Sequence, residues 1–374
     1  MTDHALTPHA NRPPLRPGSL TDLVELVPYL LGFHPRDSLV LVALRGPHRR
    51  VGVTMRVDLP EARRCAGLPA VLAGHVRRDG ATEALALVYA GVGVDGDPPA
   101  GLPDPPLVRA VASGLADAGL TLVDALYVGA GRWWSYACDR TGCCPPEGRA
   151  LPAADGRTSP AVATATYAGL VALPDRRALE QTLERSNPVS DQAVARAEAD
   201  LATATGAAGA GGTGSGADRD GRQRWRRQVL GEIAGAVDEH IAAARAGLPE
   251  EWVARFLVAL RDEEVRDECC DWVEGDRGER ALALWRHLAA RATSPYDVTP
   301  LALVAWSAWH TGAGPLARIA VDRVLARDPG CRLAILLDQA LERGINPATV
   351  RGRPRGRRRQ TRRHPPPGWN RPGP

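Results

Sequence analysis

Seven residues in the first half of the chain carry side chains from which a ligand site could be assembled: His34, Asp37, Arg56, Asp58, Arg132, Tyr136 and Glu147. An imidazole and carboxylates can exchange protons near neutral pH, guanidiniums grip anions in a planar fork, and a phenol donates a hydrogen bond. Several of the seven fall at predicted strand ends, which is where open sheets bind ligands. Arg56 and Asp58 alternate with the apolar residues of their strand and therefore point to one face. The competing explanation is an ion pair on a half-covered sheet, with His34-Pro35 only shaping a helix-to-strand turn. Cys138, Cys143 and Cys144 place three thiols within seven residues. They could hold zinc if a fourth ligand such as His34 or Cys65 came close, although the spacing is not that of paired CxxC ligands and a reduced structural loop is the alternative.

Other chemistries are excluded by what the chain lacks. All 47 basic residues are arginine and lysine is absent. This removes the P-loop lysine, the pyridoxal phosphate Schiff base and any lysine nucleophile, so P-loop nucleotides and pyridoxal phosphate are not expected cofactors. No Gly-x-Ser-x-Gly elbow and no His-Glu-x-x-His helix is present. Gly91-Val92-Gly93-Val94-Asp95-Gly96 has the letters of a dinucleotide fingerprint, but Asp97-Pro98-Pro99 follows instead of a helix, so a loop is expected. The end of the chain, with Arg351, Arg353, Pro354, Arg355 and Arg357, contains an Arg-Gly-Arg-Pro core suited to the narrow minor groove of A/T-rich DNA. From Arg351 onward there are nine arginines and no carboxylate side chain, so the rest of the chain carries a net charge of −5. Basicity is confined to a tail that is either a nucleic-acid contact or a solvated low-complexity segment.

The elements that must position these residues read as two domains, since 374 residues exceed what one core usually serves. Residues 1–18 are Pro-rich and expected to be disordered. Ser19 with Asp22 starts a helix whose apolar face is Leu23, Leu26, Val27 and Leu30, ended by Gly32. Ser38 to Leu44 is apolar on both faces and reads as a buried central strand, and Val51 to Leu59 alternates as its hairpin partner. Helices at 70–78 and 107–118 alternate with strands at 84–90 and 121–128, and a last strand covers 133–137. Helices near 161–168 and 176–183 complete an α/β domain over 19–187, a mixed sheet with covering helices. Residues 188–221, centred on Gly211-Gly212-Thr213-Gly214-Ser215-Gly216, are expected to be a flexible linker. From 222 to 345 the periodicity is helical throughout, with a tetratricopeptide-like hairpin around Trp306 and Trp309, and 346–374 is the Arg-rich tail. No apolar run has the length of a signal peptide or a membrane span, and seven cysteines is an odd number, so a cytoplasmic protein without membrane contact is expected.

The segment Val27-Pro28-Tyr29-Leu30-Leu31-Gly32-Phe33-His34-Pro35-Arg36-Asp37-Ser38-Leu39-Val40 resembles the opening of an actinobacterial family of domains of unknown function, the one numbered 4192. Arg56-Val57-Asp58-Leu59-Pro60, Arg132-Trp133-Trp134-Ser135-Tyr136 with Cys138 and Cys143-Cys144-Pro145-Pro146-Glu147-Gly148, and Leu337-Asp338-Gln339-Ala340 are similar to it as well. The resemblance implies no activity. A non-enzymatic adaptor, holding a protein partner on its helical domain, is therefore the leading expectation, because helical stacks present extended grooves and no nucleophile with its base is evident. The alternative is an enzyme or small-ligand sensor around His34, Asp37 and Glu147. DNA association through the tail is a third expectation.

Overall fold

The computed structural model describes residues 17–90, 101–206, 216–243 and 247–350. These form two compact units, one of residues 17–179 with Ala340–Asn346 and the other built on Glu180–Gln339.

The first unit is a six-stranded mixed sheet of order β2-β1-β3-β4-β5-β6. Its strands are β1 (Ser38–Arg45), β2 (Arg50–Asp58), β3 (Glu83–Tyr89), β4 (Thr121–Gly129), β5 (Arg132–Ser135) and β6 (Arg149–Ala150). Only β3 and β4 run parallel, as expected for strands joined through a helical crossover. β1 lies antiparallel between β2 and β3, with Ser38 opposite both Asp58 and Tyr89. That central place explains its apolar run, since Leu39–Leu44 is covered on both faces.

Pleat alternation sorts the side chains. Leu39, Leu41, Ala43, Ala84, Ala86, Val88 and Ala125 pack under α2 (Leu59–Arg64), α3 (Leu68–Arg78) and α4 (Pro105–Asp117). The intervening Val40, Val42, Leu85, Leu87 and Leu126 are at most 1% exposed and belong to the opposite face. Each fully buried leucine there stabilises the unit by roughly 1.5–3 kcal/mol. On that side α1 (Leu20–Leu31) packs against α5 (Pro160–Tyr167), followed in the chain by α6 (Arg176–Gln181). Ser19 caps α1 by accepting the Asp22 N–H, and Gly32 ends it at φ 82°.

The second unit is helical, with no strand among its described residues. It comprises α7 (Asp191–Thr205), α8 (Gly216–Ala243), α9 (Glu250–Ala259), α10 (Glu263–Cys270), α11 (Gly275–Arg291), α12 (Val298–His310), α13 (Gly314–Arg327) and α14 (Arg332–Glu342) as far as Gln339. Successive helices α11, α12 and α13 pack pairwise, and Trp306 Nε1 donates to the Cys270 carbonyl of α10 at 2.8 Å.

Three expectations about boundaries need correction. The span 188–221 is not one linker, because Ser190 accepts the Ala193 N–H and opens α7, whose Ala193, Val194 and Ala197 are buried. Alanine-rich sequence is as good for a helix as for a tether, and here packing decides. Residues 207–215 lie outside the described residues. Ala340–Asn346 groups with the sheet unit, not the helical one, and Gly344 packs against His75 of α3. The segment after 346 begins with a described 3-10 turn at Pro347–Thr349. The expected disorder of 1–16, the glycine sequence of 91–96, and Arg351, Arg353, Pro354, Arg355 and Arg357 all lie outside the described residues.

Candidate functional site

Because β3 and β4 are parallel, their carboxyl ends share one edge of the sheet, and β1 begins there too. A cavity of about 640 Å³ opens at that edge, on the α1 and α5 side. Four stretches meet around it: Val24, Glu25, Pro28 and Tyr29 of α1 with the following His34–Asp37, then Tyr89-Ala90, Val128 to Gly131, and Leu151 to Val162.

Two buried polar groups mark the cavity. Tyr89 extends the inward row of Leu85 and Leu87 and is 9% exposed, and its hydroxyl has no hydrogen-bond partner among the described residues. Burial pushes its pKa well above the ordinary 10, so it stays a neutral donor. Glu25 is 7% exposed; its Oε1 accepts the Ala153 N–H at 3.0 Å, whereas Oε2 has no partner among the described residues. A buried polar atom left unmatched costs about 1–3 kcal/mol, so two on one cavity wall are unusual. Pro28 adds a third feature. Lacking an N–H, it cannot satisfy the Val24 carbonyl one turn back, and both residues line the cavity.

The His34–Asp37 loop is held from both sides. The His34 N–H donates to the Leu173 carbonyl at 2.9 Å, and the Leu59 N–H donates to the Asp37 carbonyl at 2.8 Å. Asp37 sits at φ 43°, a left-handed conformation that aspartate tolerates better than most side chains. Burial, and then the neighbouring Arg36, hold the His34 imidazole below its usual 6.5, so it is neutral at pH 7. Arg36 and Arg157 also line the cavity, while Ser159 is engaged as the cap of α5, accepting the Val162 N–H at 3.3 Å.

Of the seven residues singled out in the sequence, only His34 and Asp37 reach the cavity. Arg56 is a tie between strands: Nε donates to Ser38 Oγ at 2.8 Å, and its guanidinium pairs with Asp58 at 2.5 Å and lies over the Phe33 ring. The two do share a face, as alternation required, but as an ion pair. Arg132 donates to the Gly148 carbonyl at 3.0 Å and closes the cysteine loop. Tyr136 packs against the core under α3 and α4, on the other face of the sheet from Tyr89, with its hydroxyl donating to the Pro103 carbonyl. Glu147 is exposed on the cysteine loop. Glu25 and Tyr89 escaped notice because one sits inside an apolar helix and the other ends an apolar strand. The only local signal was a carboxylate in the buried arc of α1.

The cysteine loop is a second constellation. The sulfurs of Cys138, Cys143 and Cys144 lie within 4.8 Å of one another and could hold a metal ion; neither His34 nor Cys65 belongs to the group, which corrects the expected fourth ligand. Cys138 Sγ and Cys143 Sγ are 3.0 Å apart. The hydrogen bond from Cys143 lowers the Cys138 pKa, whereas burial and the other two thiols push Cys144 up to about 12. Trp134 pins the loop, donating to the Pro146 carbonyl at 2.9 Å and stacking on Tyr127 at 5.3 Å.

Among the described residues, no helix is long and apolar enough to cross a membrane. No curated protein and no solved structure matches the chain. The sheet, the cavity edge and the cysteine loop all fall within residues 21–348, the stretch matched by the family described as Domain of unknown function (DUF4192), and the chain belongs to that family.

Proposed function

We propose that the protein binds a small polar molecule in the cavity at the carboxyl ends of β3 and β4. The observation that carries this reading is the pair of unmatched buried atoms, Glu25 Oε2 and the Tyr89 hydroxyl, on the wall of a 640 Å³ cavity. A ligand would satisfy them with a donor toward Glu25 and an acceptor toward Tyr89. Arg36, Arg157 and neutral His34 would favour an acidic group elsewhere on the same molecule. This is a sensor or binding role for the α/β unit.

The test is thermal stability of the full chain against a panel of amino acids, hydroxy acids and nucleosides, with native mass spectrometry for molecules that co-purify. The expected result is a compound that raises the melting temperature of the wild type by more than it raises that of Glu25→Gln or Tyr89→Phe. Equal shifts in wild type and both variants, or no bound mass and no shift with any compound, would sink the proposal.

A partner protein on the helical unit, in the manner of a tetratricopeptide-like stack, is the second reading, favoured by Ile335 and Leu336 standing 36% and 62% exposed on α14. A second copy of the chain is the first partner to test: Leu336→Asp should abolish concentration-dependent association in sedimentation, and a wild type that stays monomeric rejects self-docking through this face.

A further inference from the structure

We propose that Cys138, Cys143 and Cys144 bind a soft divalent cation of the zinc type through three thiolates, leaving the fourth coordination position to a donor from outside the loop. Sulfur alone makes up the group, with no carboxylate or imidazole in it, and three thiolates discriminate strongly for such a cation over calcium or magnesium.

The loop is fixed by bonds that do not involve the sulfurs. The N–H groups of Cys143 and Cys144 both donate to the Arg140 carbonyl, at 3.0 and 2.7 Å, which turns the two adjacent side chains back toward Cys138. The Cys138 N–H donates to Ser135 Oγ at 3.0 Å, and that hydroxyl is itself held by Asp124 Oδ1 at 2.8 Å. A frame already held at both ends lets three ligands converge with little ordering cost.

Zinc–thiolate bonds of about 2.3 Å in a tetrahedral arrangement separate sulfurs by roughly 3.8 Å. The 3.0 Å pair would therefore open by about 0.8 Å, a small side-chain rotation, while the 4.8 Å limit on the trio already brackets the required spacing. Binding would release the thiol protons and leave one net negative charge on the metal and its three thiolates. Arg149, whose guanidinium donates to the Cys143 carbonyl, supplies a positive charge beside it.

The experiment is metal analysis of the full chain, purified without chelator in a non-thiol reductant, incubated with excess zinc and desalted. About one zinc per chain is expected. Cobalt in its place should give thiolate charge-transfer absorption. Cys138→Ser and Cys143→Ser should lower zinc retention at least about tenfold, since each removes one of three protein ligands, while Cys65→Ser at an exposed thiol should leave it unchanged. The wild-type measurement decides even where a serine variant fails to fold. Less than about one-tenth zinc per chain, retention unaffected in the two variants, or a Cys138–Cys143 disulfide that survives reductant and blocks loading would overturn the proposal.

Discussion

Replacing Tyr89 by phenylalanine removes one oxygen and leaves the ring against the row of Leu85 and Leu87. If that hydroxyl serves a ligand, stability and affinity should move in opposite directions. Among the described residues the hydroxyl is buried without a partner, and deleting it should relieve about 1 kcal/mol, the low end of the 1–3 kcal/mol desolvation cost of such a group. Binding should weaken by about 1–2 kcal/mol, roughly 5- to 30-fold, because the ligand's acceptor then goes unmatched. At a ligand concentration of about 100 wild-type Kd the wild type gains about 2.7 kcal/mol and the variant about 0.9–1.8 kcal/mol, so the variant's lead of about 1 kcal/mol is cancelled if binding weakens about 5-fold and reversed by about 0.8 kcal/mol if it weakens about 30-fold. A chain built of two compact units need not unfold in a single step. Stability is therefore best read from hydrogen exchange of β3 amides in a urea series, which reports the sheet unit alone. A variant destabilised by 1 kcal/mol or more would refute the reasoning, since it would mean that the hydroxyl is already partnered in the folded chain.

Other perturbations test the frame. Gly148 lies at φ 77° and a Cβ there would stand 2.4 Å from Trp134 Cε2, so Gly148→Ala should cost about 2–4 kcal/mol from left-handed strain and overpacking, measured by urea unfolding. Asp79 takes the Arg45 guanidinium and the Val53 N–H (3.0 Å), and Asp79→Ala should cost about 2 kcal/mol, below the 3–5 kcal/mol of a fully buried pair because Arg45 is 23% exposed. Burial, then Arg36 for His34 and Arg78 for His75, lower both imidazole pKa values. Their contribution is thus complete above 6.5 and is lost as pH falls through 6.5 toward the folded values. Melting temperature should drop over that interval, and the double variant His34→Asn, His75→Asn should show a shallower drop; an unchanged slope would contradict the assignment.

How far such a molecule can be read without coordinates depends on whether the determining contacts are local. β1 was legible because central burial writes itself as an uninterrupted apolar run, and α1 because Ser19 and Gly32 punctuate it. α7 carried the same punctuation in Ser190 and Gly206 (φ 74°), but its buried residues are Ala193, Val194, Ala197 and Thr205, a small-residue face that composition cannot tell from a tether. Arg56 and Asp58 illustrate the opposite error. Their alternation was read correctly, yet two opposite charges two residues apart on one strand face are the arrangement most able to satisfy each other, which removes them from the pool of ligand contacts. The cavity is different in kind. Its walls come from α1, from the ends of β3 and β4 and from the chain after β6, and what singles out Glu25 and Tyr89 is the lack of a partner among the described residues. A missing hydrogen bond leaves no trace in residue spacing. Strand ends do border the cavity, but Arg56 and Asp58 pair with each other there, and the groups left unmatched among the described residues, Glu25 and Tyr89, lie in apolar sequence.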